Sequence, residues 1–177
     1  MQVTHGIIKL GGGPVGLTIG NFDGVHRGHH AMLQTLVAKS RALGLPSCVL
    51  TFEPHPREFF APAAAPTRLA RLREKLELIA EAGVDRVHIL RFDARLAALD
   101  AARFIDDVLL GGLGARWLLV GRDFRFGARR SGDFALLEAA AARSGFGLEA
   151  MPEVLHEEVQ RRAQAGVAGA GGSLKSA

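Results

Sequence analysis

Cysteine is nearly absent from this chain, and tyrosine is wholly so: Cys48 is the one cysteine in 177 residues. A lone cysteine excludes an internal disulfide, which fits a reducing cytoplasm. It also leaves no cysteine cluster for a zinc site, and no acidic spacing marks another cage, so no metal ligands are assigned. Long hydrophobic runs are missing too. No stretch approaches the roughly 18 consecutive apolar residues of a membrane helix. Met1 to Leu10 lacks a basic stretch followed by a long apolar run, so no secretory leader is expected. A large excess of charge of either sign is missing, with 22 Lys and Arg against 18 Asp and Glu, a net of +4. The bases lie beside acids along helical stretches, as in Arg71, Arg73, Glu74, Lys75 and Glu77, which reads as a solvated face. With no tyrosine and no RNA-binding wording, no nucleic-acid partner is expected.

What is present is an alternation of short apolar runs with helical patterns. The apolar content of 48% supports a genuine core, and the length suits one domain, residues 1–155. Strands are expected at 15–19, 47–52, 86–90, 117–120 and 148–151. Helices are expected at 28–43, 72–82, 101–110 and 133–144, with stops at Gly44, Gly83, Gly111 with Gly112, and Gly145. This order predicts an α/β fold, a parallel sheet of about five strands with helices on both faces. Ligands of such sheets lie beyond the carboxyl ends of the strands. Residues 61–66, Ala-Pro-Ala-Ala-Ala-Pro, read as a linker. Residues 156–177 diverge in composition, and their Gly/Ala/Ser-rich end from 166 predicts disorder.

Three segments carry candidate chemistry. Residues 18–29, Thr-Ile-Gly-Asn-Phe-Asp-Gly-Val-His-Arg-Gly-His, pass from a strand through Gly20, Asn21, Phe22, Asp23 and Gly24 into a helix. His26 and His29, three apart on that helix, share a face, and Gly28 between them keeps it low. A helix start offers unpaired N–H groups and a positive dipole end, hence a phosphate site. Metal ligation and simple solvation are the other readings of such a histidine pair. Residues 51–56, Thr-Phe-Glu-Pro-His-Pro, hold His55 in a rigid, extended turn between two prolines, unless they only end the strand. Residues 120–127, Val-Gly-Arg-Asp-Phe-Arg-Phe-Gly, follow a strand. There Asp123 can bond a ring edge or cap the turn, Phe124 and Phe126 offer flat apolar surface or core, and Arg122, Arg125, Arg129 and Arg130 suit a phosphate-bearing ligand.

Together these strings resemble the bacterial FAD synthetases, the bifunctional riboflavin kinase/FMN adenylyltransferases, from about residue 12 to about residue 155. The resemblance implies a Rossmann-like nucleotidyltransferase domain in the cytoplasm that transfers AMP from ATP to FMN, giving FAD and pyrophosphate. It implies His26 and His29 as the catalytic pair on the triphosphate, with His29 nearest the α and β groups. Gly20, Asn21, Phe22, Asp23, Gly24 and Gly28 would form the ATP turn, and His55, Asp123, Phe124 and Arg125 the FMN side. Magnesium would come with ATP. Residues 67–79 match the family as well and read as an amphipathic packing helix.

Two departures set further expectations. The family continues into a riboflavin kinase barrel, expected to be absent here. After Val154 the family's Ile-Ser-Ser-Thr-x-x-Arg element is replaced by Leu-His-Glu-Glu-Val-Gln-Arg-Arg, so adenylyl transfer would be impaired. Two alternatives stay open: an inactive remnant that binds flavin or ATP, and a nucleotidyltransferase for another phosphorylated metabolite.

Overall fold

The central apolar runs become strands that are buried on both faces. Val15–Ile19 is buried along its whole length, and Ser47–Glu53 over its first five residues. In the computed structural model, which describes residues 1–6, 13–22, 26–60 and 66–151, six strands form one sheet. They are β1 (Gln2–His5), β2 (Val15–Ile19), β3 (Ser47–Glu53), β4 (Arg86–Arg91), β5 (Ala115–Val120) and β6 (Gly147–Ala150). The spatial order is β1-β4-β3-β2-β5-β6, with every neighbouring pair parallel.

Helices cover both faces. On one, α1 (His26–Ala42) and α3 (Pro66–Glu81) enclose a core that includes Leu33, Leu36, Val49, Ile79, Val87 and Trp117. The other face carries α5 (Ala101–Arg103), which runs on into π-type turns at Phe104–Leu110, and α6 (Phe134–Ser144). That second core holds Leu17, Leu50, Ile105, Leu109, Leu118 and Leu137. Two short helices complete the fold, α2 (Pro56–Phe60) and α4 (Ala94–Ala97). Local chemistry sets the ends: Asp133 Oδ1 accepts from the Leu136 N–H at 2.9 Å to cap α6. Gly145 closes the same helix at φ 80°, a conformation that needs no Cβ.

The α/β parallel fold is as expected, with one more strand than the five anticipated. The extra strand, β1, is a four-residue edge whose Val3 is 41% exposed, so it carries no burial pattern to read. The third helix stop also shifts. Gly111 keeps helical φ and ψ, and the chain turns at Gly114, φ 69°. Pro66, read as linker, opens α3, as proline does at a first helical position; residues 61–65 and 152–177 lie outside the described residues.

The chain winds leftward from β2 to β3 and β4, then crosses back to β5 on the far side of β2. The order therefore reverses between β2 and β5, the switch point at which open α/β sheets bind ligands.

Candidate functional site

Beyond the carboxyl ends of β2, β3, β4 and β5 lies a cavity of about 730 Å³. Six of the chain's ten phenylalanines line it: Phe52, Phe60, Phe92, Phe104, Phe124 and Phe126. That volume lies within the range of small-molecule sites, and an apolar lining with a few polar groups is their usual make-up. The polar groups here are Asn21, His55, Arg125 and Arg130, with Gly20 at the exit of β2.

The aromatic wall is self-supporting. Phe124 and Phe126 stack with centroids 5.5 Å apart and planes at 18°, and Phe126 leans on Phe104 at 5.6 Å. Opposite them, Phe92 takes edge contacts from Phe52 at 6.0 Å, Phe59 at 5.5 Å and Phe60 at 6.0 Å. Such offset and edge geometries are the favoured ones for aromatic pairs. Phe60 is 71% exposed, so a flat ligand in the cavity would cover apolar surface that now faces solvent. A Cβ on Gly132 would stand 2.4 Å from the Phe126 ring, so only glycine fits beneath it.

His55 is half-buried and lines the cavity. Its carbonyl accepts from the Glu58 N–H at 2.8 Å and the Phe59 N–H at 3.2 Å. The rigid turn is therefore also the start of helix α2, with Pro56 at its first position. Helix formation there brings Phe59 and Phe60 back toward Phe92.

The β2–α1 turn forms the second half of the site. Gly20 N–H donates to Leu50 O at 3.1 Å, tying the turn to β3. Phe22 sits at φ 49°, 6% exposed, in the core beneath α1. Its ring meets the half-buried His29 edge-on, with centroids 5.4 Å apart. A Cβ on Gly20 would lie 3.0 Å from the Phe22 ring. Phe22 thus backs the imidazole from below. Helix α1 begins at His26 and has no acidic residue in its first turn, which suits an anion at its positive end.

Of the residues singled out in the sequence, Gly20, Asn21, His55, Phe124 and Arg125 converge on the cavity. Phe22 and His29 sit together behind the turn. His26 and Gly28 are placed by their backbone in the first turn of α1, and Asp23 and Gly24 lie outside the described residues. Asp123 is not brought to the cavity wall: its carboxylate is exposed and stands over Gly121, where a Cβ would lie 2.7 Å from Oδ1.

Lys75 needs correction. Read as part of a solvated face, it is 6% exposed, with Nζ 3.2 Å from Thr51 Oγ1 and 3.4 Å from Phe52 O. It anchors the carboxyl end of β3, from which both Phe52 and the His55 turn project. The helical periodicity places position 75 near Leu72, Leu78 and Ile79, and that phase was the available signal. The phenylalanines at 52, 60, 92 and 104 were likewise missed, because each arrives from a different element.

Comparison with known proteins decides the family. Residues 13–163 match FAD synthetase. The chain belongs to that family. It is 54% identical over 149 residues to the bifunctional riboflavin kinase/FMN adenylyltransferase of Escherichia coli (strain K12), covering 82% of this chain and 48% of that protein. It is 53% identical over 137 residues to the protein of that name from Pseudomonas fluorescens, covering 77% and 44%. This FAD synthetase family member thus spans about half the length of the curated relatives it matches. A crystal structure titled as a macrolide-efflux protein from Streptococcus pneumoniae superposes with TM-score 0.67 at 20% identity, over 86% of this chain and 50% of that one; the likeness is one of fold. Among the described residues no helix is long and apolar enough to cross a membrane.

Proposed function

We propose that this chain is an FMN adenylyltransferase acting in the cytoplasm, with ATP and FMN as its substrates. One observation carries the reading: the aromatic cavity includes Gly20 and Asn21, the same residues that lead into the amino end of α1. A planar ring between the phenylalanines and a triphosphate at the helix start would then meet at the switch point.

The phosphate of FMN attacks the α-phosphorus of ATP, a new P–O bond forms, and the bond to pyrophosphate breaks. The nucleophile needs no general base, since a phosphate monoester with a second pKa of about 6 is largely dianionic at neutral pH. The chain's work is alignment of two anions and neutralisation of charge growing on the bridging oxygens. His29, held by Phe22, and His26 supply that at the positive end of α1. Gly20, Asn21, Asp23, Gly24 and Gly28 are assigned to the ATP side. His55, Phe124 and Arg125 hold the flavin, and Asp123 stands on the loop that carries Phe124 and Arg125. Magnesium belongs to the substrate, arriving on the triphosphate.

The replaced Ser-Ser-Thr-x-x-Arg wording after Val154 favours a second reading, a flavin- and ATP-binding chain that turns over slowly or not at all. An assay of FAD and pyrophosphate from FMN and MgATP separates the two. The enzyme reading expects both products in equal amounts; binding of both substrates with no FAD would establish the second. Transfer to another phosphorylated metabolite with none to FMN would overturn both.

A further inference from the structure

The loop between β5 and α6 carries four arginines, and the structure sorts them. The Arg122 guanidinium lies 5.3 Å from the centroid of the Phe134 ring. Arg125 reaches Asp133 Oδ2 at 3.8 Å. Arg129 is outside the cavity lining, whereas Arg130 is part of it. Arg130 forms no ion pair with any described residue.

The backbone beneath these residues is unusual. Arg129 and Arg130 are both left-handed, at φ 57° and 55°, a conformation their Cβ atoms disfavour. Strain of this kind survives only where the surroundings over-determine it, and it gathers at binding sites. The surroundings here are firm. Phe126 and Gly132 exchange backbone hydrogen bonds at 3.2 and 2.8 Å, and Ala128 N–H donates to Leu99 O at 2.8 Å. Gly127 packs so closely on α5 that a Cβ would stand 2.7 Å from Ala101 Cα. The Arg130 N–H closes the turn on Gly127 O at 3.0 Å. The loop is a fixed clasp that delivers to an aromatic cavity a cation unpaired among the described residues.

We propose that Arg130 is a specificity residue that reads the phosphate monoester of the flavin substrate, so that the cavity prefers FMN to riboflavin; this deepens the adenylyltransferase reading and rests on it. A guanidinium pairs with phosphate through two parallel hydrogen bonds. Arg130 is itself exposed, so a phosphate can reach its guanidinium while other lining residues hold the ring. The phenylalanine walls serve the ring, which leaves Arg130 for the phosphate.

The test is titration of the whole chain with FMN and with riboflavin, followed by flavin fluorescence, for wild type, Arg130→Gln and Arg130→Gly. Arg130→Gln should weaken FMN binding by about 10-fold or more and riboflavin by less than about 2-fold, the size expected for a lost charge-assisted contact. Arg130→Gly should lose the same FMN preference while melting no lower than wild type, since glycine accepts the left-handed backbone. Equal losses for the two flavins, or undiminished FMN binding, would overturn the role of Arg130. A wild-type chain that binds neither flavin would bring down the adenylyltransferase reading with it.

Discussion

The Gly20→Ala substitution probes how the turn after β2 holds its histidine. The added Cβ would lie 3.0 Å from Phe22 Cε2 and 3.2 Å from Cζ. Carbon atoms rest comfortably at about 3.5–4.0 Å, so the ring must retreat by roughly 0.5 Å. It has little room, being 6% exposed and enclosed with Leu33, Leu36 and Val49. His29, edge-on to the ring at 5.4 Å, shifts with it. Overpacking of this kind costs about 1–3 kcal/mol. Against a stability of about 5–15 kcal/mol, the native state stays populated at 25 °C. Catalysis is less tolerant: a misplacement of about 1 Å can cost on the order of 100-fold, so half that should cost roughly 10-fold in kcat. The assay is FAD formation at saturating FMN and ATP, beside a thermal melt. Phe22→Leu added to Gly20→Ala should recover melting temperature without recovering kcat. Wild-type kcat in a folded Gly20→Ala protein would show that Phe22 does not position His29 for catalysis.

Other consequences can be checked more briefly. Lys75→Met keeps the buried stem but removes the bonds to Thr51 and Phe52; urea unfolding should show a loss of about 1–3 kcal/mol, and an unchanged midpoint would mean those bonds contribute nothing. Burial pushes the Cys48 thiol up to about 12, against a smaller lowering by Arg86, so iodoacetamide should label it only after denaturation; brisk labelling of the native protein would contradict its burial. Burial also holds His88 below its ordinary 6.5, with the Gly6 carbonyl opposing and Arg86 adding to the shift. The unfolded chain then binds that proton more readily, so its share of stability is present above about pH 6.5 and lost as pH falls below it. His88→Gln should flatten melting temperature between pH 7 and 5, and an unaltered slope would exclude His88 as the source.

The fold could be read where burial imposed a pattern and a cap marked the end. Helix α6 shows both, with Asp133 before it and Gly145 after. β1 shows neither, because an exposed edge strand can take almost any residue. Helix α2 was hidden by its prolines: Pro-His-Pro reads as extended, yet Pro56 suits a first helical turn and the His55 carbonyl accepts its N–H groups. The candidate site divides in the same way. Gly20, His29 and His55 lie in strings whose local geometry is set by neighbours in sequence. The cavity wall is assembled across elements, Phe52 from β3, Phe92 after β4 and Phe104 from the π-type turns. No local pattern announces that meeting. Lys75 misled because a charged residue between other charged residues reads as solvated, whereas its phase on α3 turns it inward.

The proposed grip of His29, at the amino end of α1, on the nucleotide triphosphate is tested by calorimetric titration with MgATP whatever the rate of turnover. His29→Ala should weaken ATP binding by about 10-fold or more while FMN binding and melting temperature hold. ATP affinity equal to wild type, or an equal fall for both ligands, would contradict it.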